Sequence, residues 1–259
     1  VENLLVLCAA AVAAGAINAI AGGGTLLTFP ALFAALGGSD AAAVIANATS
    51  TTALVPGSLA GTWAYRGEMR RLPGWTLVLA VPSLIGGLIG SLLLVMLPPL
   101  TFRLLVPWLI LTAAVLFALQ PQIARWTGVT AGPTENKRRQ IALAVIIQFF
   151  VAIYGGYFGA GIGILMLSVL GFMGLGDIHE MNALKSLLGS LINGVSVIVF
   201  MAYGQIEWRL ACVMAVAAII GGYGGARIAR RLNRTLVRAA VVAIGLTLAS
   251  YYFYGEWKA

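Results

Sequence analysis

Apolar residues run through this chain in ten stretches, roughly 3–20, 24–37, 41–65, 74–97, 100–120, 140–157, 161–175, 180–203, 209–229 and 236–254. Most approach the ~20 residues that cross a hydrocarbon core. They are continuous and rich in Leu and Ala, with none of the alternation of barrel strands, so they predict helices. The runs 24–37 and 161–175 are short, and each adjoins a glycine-rich break: Ala21 to Leu27 reads AGGGTLL and Gly159 to Met166 reads GAGIGILM. The longest polar interval, Gln120 to Gln140, holds Gly128, Gly132, Pro133 and Lys137-Arg138-Arg139 near the middle of the chain. The pattern predicts an all-α polytopic membrane protein with an N-terminal transmembrane repeat (1–120), a cytoplasmic linker (121–139) and a C-terminal transmembrane repeat (140–259).

The halves correspond at the residue level. Gly24-Thr25-Leu26-Leu27 aligns with Gly163-Ile164-Leu165-Met166 at an offset of 139, and Asn47-Ala48 aligns with Asn182-Ala183 at 135. Gly86, Gly87 and Gly90 align with Gly221, Gly222 and Gly225, again at 135. All nine prolines precede residue 134, so the second half is expected to kink differently.

Basic residues decide between two topologies, because loops on the cytoplasmic side carry the excess of Lys and Arg. If the glycine breaks are kinks, each half crosses four times and the flanking charges divide nine against six. If each break is a re-entrant hairpin, each half has five segments and the division becomes twelve against three, with only Arg103, Arg209 and Lys258 outside. The second arrangement is expected: two inverted repeats of about five segments, each opened by a glycine-broken hairpin, with both termini outside. The hairpin tips then approach mid-membrane from opposite sides, where carriers hold their substrates.

Composition closes off other classes. With 61% apolar and 9% charged residues the chain cannot assemble a water-soluble surface. Its net charge of +8 flanks apolar helices, as topology signals and contacts for anionic membrane lipid, so no nucleic-acid partner is expected. Trp63, Trp75, Trp126, Trp208 and Trp257 fall at segment ends and are expected to anchor at the headgroup boundary. Cys8 and Cys212 read as small buried hydrophobes, and no disulfide, metal site or cofactor motif is expected. The first run lacks the basic n-region of a cleavable signal peptide. One histidine, His179, and scattered carboxylates make no catalytic constellation, so the protein is expected not to be an enzyme. Without a G-x-x-x-x-G-K-[ST] loop, a proton or ion gradient or a separate subunit must drive transport.

The candidate site lies in what remains polar inside the membrane. All eight carboxylates fall in loops or at segment ends, whereas Lys185 stands about a turn and a half into its segment beside Asn182, Ser186, Ser190 and Asn193. Two readings are open: a lysine that snorkels to the interface, or an anion partner facing a cavity. In the first half Asn47, Thr49, Ser50, Thr51 and Thr52 form the most polar cluster of any apolar run. Those groups either donate to an oxyanion or bond helices together. Asn18 and Thr25 flank the first glycine break and are expected at the hairpin tip. Gly22, Gly23, Gly24, Gly161 and Gly163 either bring backbone to a ligand or let helices pack closely. The substrate-binding candidates are therefore Asn18, Gly22 to Thr25, Asn47, Thr49 to Thr51, Gly161, Gly163, Asn182, Lys185 and Ser186, and the partner is a small anion.

These residues carry a family resemblance. Gly15 to Pro30 (GAINAIAGGGTLLTFP), the Asn47-Ala48-Thr49 helix, Gly155 to Leu165 (GGYFGAGIGIL) and Asn182 to Lys185 together resemble the sulfite exporter TauE/SafE family, the TSUP permeases, over residues 12–254. The resemblance implies secondary transport of small sulfur-containing anions, such as sulfite, sulfoacetate and other organosulfonates, across a bacterial inner membrane. The alternative open to the same residues is an anion channel whose glycine hairpins form a filter.

Overall fold

Glycine ends the first helix and turns the chain into a hairpin. The computed structural model describes residues 2–20, 22–128, 137–173, 175, 177–228 and 234–257. In it α1 (Glu2–Ile20) stops at Gly22, whose φ of +75° belongs to the left-handed region and whose amide donates to Ile17 O and Asn18 O at 3.1 Å. Only glycine adopts that backbone without penalty, and the cap turns the chain back on itself. α2 (Thr25–Ala35) then runs beside α1, with Gly24 against the carbonyl of Ala14, more than a turn before the end of α1. The second hairpin repeats the device. α7 (Lys137–Tyr157) ends at Gly159, φ +81°, whose amide donates to Tyr154 O at 3.2 Å, and α8 (Ile162–Phe172) follows.

Between the hairpins lie α3 (Asp40–Ala64), the single turn α4 (Arg66–Met69), a 3-10 segment Gly74–Leu79, α5 (Ala80–Met96) and α6 (Pro99–Gly128). After the second come α9 (Ile178–Ala202), α10 (Trp208–Ile228) and α11 (Arg234–Trp257). Ser39 caps α3 by accepting from the Ala42 amide, and Asp177 caps α9 by accepting from the His179 amide. Among the described residues every regular element is helical, and the ten apolar runs all appear as helical segments, nine within a few residues of their expected bounds and the fifth extended by eight residues to Gly128. Five stretches, Thr76–Met96, Pro99–Leu119, Arg138–Tyr157, Ile178–Ala202 and Trp208–Gly225, are long and apolar enough to cross a membrane. The expected linker is helical at both ends, since α6 reaches Gly128 and α7 starts at Lys137; its centre, 129–136, lies outside the described residues. So do Arg230, Arg231 and Lys258 of the charge count.

The two glycine stripes dock alike. Gly86 and Gly90 of α5 bring its backbone against Phe149 and Ile153 of α7; Gly221 and Gly225 of α10 bring its backbone against Val12 and Ala16 of α1. A side chain at any of these positions would overlap backbone or methyl groups, so the stripes permit a close approach that replaces the hydrophobic driving force absent in lipid. Residue numbers rise together along both pairs, so α1 and α10 run parallel, as do α5 and α7. Ala19, Tyr65 and Ala183 pack together, which puts the start of α9 beside the end of α3 and makes those two helices antiparallel.

The helix ends correct the residue correspondence. α2 and α8 have the same length and begin 137 positions apart, as do the cap glycines Gly22 and Gly159. α3 and α9, each of 25 residues, begin 138 apart. The match of Gly24 to Gly163 at 139 is therefore two residues out, and Asn47 corresponds to Lys185 rather than to Asn182. Glycine- and alanine-rich runs align at several registers; caps align at one. A further correction concerns Cys212, which lies exposed on α10 among the outward apolar side chains Val216, Ile219 and Ile220, while Cys8 is half-buried.

Candidate functional site

The hairpin tips meet. The Gly163 amide donates to Gly22 O at 3.2 Å, and Gly22 is so close to the Gly163 Cα that no side chain fits between them. Beside this contact lies a cavity of about 30 Å³, room for about two waters. Six of the expected residues line it: Asn18, Gly22, Thr25, Gly163, Lys185 and Ser186. Their polar atoms come from four elements, because Asn18 is on α1, Thr25 opens α2, Gly163 is in the first turn of α8 and Lys185 and Ser186 are on α9.

Lys185 is only 3% exposed, so the snorkelling reading is overturned. Its side chain turns inward because α9 is enclosed there by α1, α3 and α4. Nζ donates to Ala19 O in the last turn of α1 at 3.2 Å and to Asn182 Oδ1 at 3.0 Å. The ammonium thus faces the negative end of the α1 dipole as well as the cavity. Asn182 reaches the site through this bond and is a supporting partner of the lysine. Across the cavity Asn18 Nδ2 donates to Ser58 Oγ at 2.8 Å, which leaves the serine hydroxyl proton to point elsewhere. No carboxylate is among the described lining residues.

The other expected residues are engaged away from the cavity. Gly23 faces the ring of Phe117, Gly24 packs on Ala14, and Gly161, φ +78°, turns the second tip beside Ala113. These three glycines serve close packing and turning, so leucine at Gly23 would clash with Phe117 and report on folding. The hydroxyl cluster of α3 bonds between elements: Ser50 shares a hydrogen bond with Thr28 of α2, Thr49 Oγ1 accepts from the Glu207 amide, and Asn47 Nδ2 donates to Tyr157 O at 3.0 Å. Thr51 is buried in the same helix, and Thr52 returns its hydroxyl to Ala48 O. Sequence reading missed Ser58, Gly61, Gly159 and Gly189 in the lining and left Asn193 as one member of a stripe. A signal existed for Asn193, seven residues and about two helical turns after Ser186 on the same face. Ser58, Gly61 and Gly189 sit in stretches with no distinguishing pattern, whereas Gly159 opens the second glycine break and could have been named.

A sequence model of the family described as sulfite exporter TauE/SafE matches residues 7–252. The chain belongs to that family. Among its curated relatives is a probable membrane transporter protein of Haemophilus influenzae, 26% identical over 99% of this chain and 96% of the relative. Another is the probable membrane transporter protein YfcA of Escherichia coli K12, 28% identical over 96% of this chain and 89% of the relative. A third is the probable membrane transporter protein ORF9 of a Sinorhizobium species, 26% identical over 95% and 90%. No solved structure is significantly similar. This family member is a multi-pass membrane transporter, and the paired hairpins and buried lysine described above are its polar centre.

Proposed function

We propose that this transporter carries small sulfur-containing anions, sulfite, sulfoacetate or related organosulfonates, by alternating access around the cavity between its hairpin tips. The observation that carries the reading is Lys185, a buried ammonium bordering a cavity whose described lining offers hydroxyl, amide and backbone groups and no carboxylate. A desolvated cation bordering a cavity with no carboxylate among its described lining residues favours an anionic occupant, and a charge retained inside a membrane marks a substrate path. Sulfur comes from the description of the family alone. The reading of two inverted repeats is supported by α3 and α9, which occupy the same place in each half yet run antiparallel. The closed tip contact between Gly22 and Gly163 suits an occluded carrier better than an open pore. The site lies in a bacterial inner membrane with both termini outside, and lipid surrounds the exposed apolar faces.

Two measurements test this. In proteoliposomes, sulfite flux is expected to saturate and to be inhibited by the substrate analogues sulfoacetate and taurine; flux linear in concentration with single-channel currents would replace the carrier by the anion channel. A thermal-shift screen is expected to raise the melting temperature with sulfite or an organosulfonate, since a ligand that binds only the folded state stabilises it. Equal stabilisation by sulfate, acetate and chloride would remove the sulfur assignment.

Topology is tested separately. Cysteines replacing Lys137 and Arg231 are expected to react with impermeant reagent from the cytoplasmic side in both cases. Labelling of the Arg231 position from outside would return the chain to four crossings per half and parallel repeats.

A further inference from the structure

A second, apolar pocket lies at the opposite end of α1 from the polar cavity. It encloses about 360 Å³ and is lined by Leu4 and Leu7 of α1, Ala35 and Leu36 at the end of α2, and Leu210 of α10. Glu207 and Arg209, at the start of α10, add the two charges of its lining. The gap exists because α2 stops at Leu36, where Gly37 and Gly38 take positive φ and turn the chain toward α3. Thr49 Oγ1 accepts from the Glu207 amide at 3.0 Å, which fixes the rim. Water is a poor occupant, because each molecule needs two to four polar partners and five aliphatic side chains offer none. Neither charged side chain has a hydrogen-bond or ion-pair partner among the described residues. That sets Arg209 apart. Of the described basic residues that the charge division leaves outside, Arg103 is paired with Asp40, whereas Arg209 serves neither an ion pair nor the cytoplasmic excess. Trp208, between the two charges and 48% exposed, stands where headgroups meet hydrocarbon.

We propose that this pocket binds a phosphatidylethanolamine lipid of the outer leaflet: the upper part of one acyl chain fills the apolar lining, Arg209 takes the phosphate and Glu207 takes the ammonium. The site is separate from the anion cavity, and the proposal is independent of what the transporter carries. Charge complementarity selects the occupant. A guanidinium fork matches the oxygens of a phosphodiester, and the lipid ammonium offers three N–H donors to a carboxylate. A trimethylammonium headgroup keeps the charge but has no N–H to donate, and a glycerol headgroup brings a phosphate with no cation to answer Glu207. Leu4 to Leu7 spans a single turn of α1, too short a contact for a partner helix but sufficient for the first methylenes of a lipid chain. Exposed charges are screened, so the pair confers a preference of several-fold rather than absolute selection. A lipid seated here touches α1 and α2 of the first half and α10 of the second, and so braces their outer ends together.

Thermal unfolding of the delipidated full-length protein in detergent, titrated with phosphatidylethanolamine, phosphatidylcholine and phosphatidylglycerol of identical acyl chains, tests this, since a lipid that binds the folded state raises its melting temperature. For the wild type the midpoint concentration of the shift is expected to be at least threefold lower with phosphatidylethanolamine than with either of the others. Glu207→Gln removes both the charge that holds the ammonium and the charge that repels phosphatidylglycerol, and is expected to bring the three midpoints within twofold of one another. Arg209→Gln is expected to raise all three midpoints at least threefold, because the phosphate is common to them. Ala35→Leu fills the pocket from its lining and is expected to abolish the saturable shift while the lipid-free melting temperature stays near the wild-type value. Equal wild-type midpoints for phosphatidylethanolamine and phosphatidylcholine would overturn the proposal, as would an unchanged preference in Glu207→Gln or unchanged midpoints in Arg209→Gln. A wild type that prefers phosphatidylglycerol would overturn the role of Glu207 and make this an anionic-lipid site. No saturable shift with any of the three would overturn lipid occupancy altogether.

Discussion

Lys185→Met is expected to bind sulfite more than tenfold more weakly than the wild type, and Lys185→Arg to retain part of the affinity. Methionine keeps most of the stem's volume, so the loss falls on the charge and not on the packing. Truncating one member of a desolvated charge pair costs about 2–5 kcal/mol, which corresponds to well over tenfold in affinity. Arginine restores the charge in a planar fork that cannot reproduce the contacts of a compact ammonium with Ala19 O and Asn182 Oδ1, hence partial function. Thermal-shift titration with sulfite and initial uptake rates in proteoliposomes measure both. A methionine variant with unchanged affinity would leave Lys185 as a helix-end cap for α1 and move the site to Asn18, Ser58 and Asn193.

Gly90→Leu and Gly225→Leu are each expected to remove most of the monodisperse protein, and to do so to a similar degree. A Cβ at Gly90 would overlap the Ile153 carbonyl and one at Gly225 would overlap the Ala16 backbone, so in both cases the obstacle is main chain that cannot rotate away. Overpacking usually costs about 1–3 kcal/mol through side-chain and backbone shifts, and here a whole helix pair must separate, so the cost exceeds that range. That is a large fraction of the margin of a typical fold. Gly224→Leu is the control, because nothing lies within 4 Å of its would-be Cβ; it is expected to express near the wild-type level. Fluorescence-detected size exclusion of the three variants reads the outcome. Normal yield from Gly90→Leu would show that the α5–α7 contact is looser than described, and unequal losses at Gly90 and Gly225 would weaken the equivalence of the two halves.

The fold was largely legible because lipid imposes a simple rule. A backbone in hydrocarbon must bond to itself, so each long apolar run had to be a helix, and glycine or polar residues marked the ends. The hairpins too were legible, from AGGGTLL and GAGIGILM, since α2 and α8 were too short to span. What was not legible was which glycine did what. Gly22 and Gly159 terminate helices, Gly161 turns a tip and Gly23 and Gly24 accommodate neighbours, yet all sit in similar surroundings in the one-dimensional text. The α3–α5 connection, with its extra turn α4 and 3-10 segment, also shifted the offset between the halves from 138 to 135, a shift that repeated small residues conceal.

From the sequence alone came the class of protein, the ten long or broken apolar segments with most of their bounds, and the presence of a single lysine inside an apolar run. All of these follow from local composition, because the solvent preference of each residue acts where that residue stands. Only the tertiary structure decided that Lys185 is sealed against Ala19 rather than stretched to the interface, and that Asn47 is its counterpart on the other hairpin. It alone committed the hydroxyls of Thr49 and Ser50 to neighbouring segments and brought Ser58 and Asn193 to the cavity. Those outcomes depend on which polar partner lies within about 3 Å across a helix boundary, a distance set by the glycine-stripe contacts of α1 with α10 and α5 with α7 between residues more than fifty positions apart.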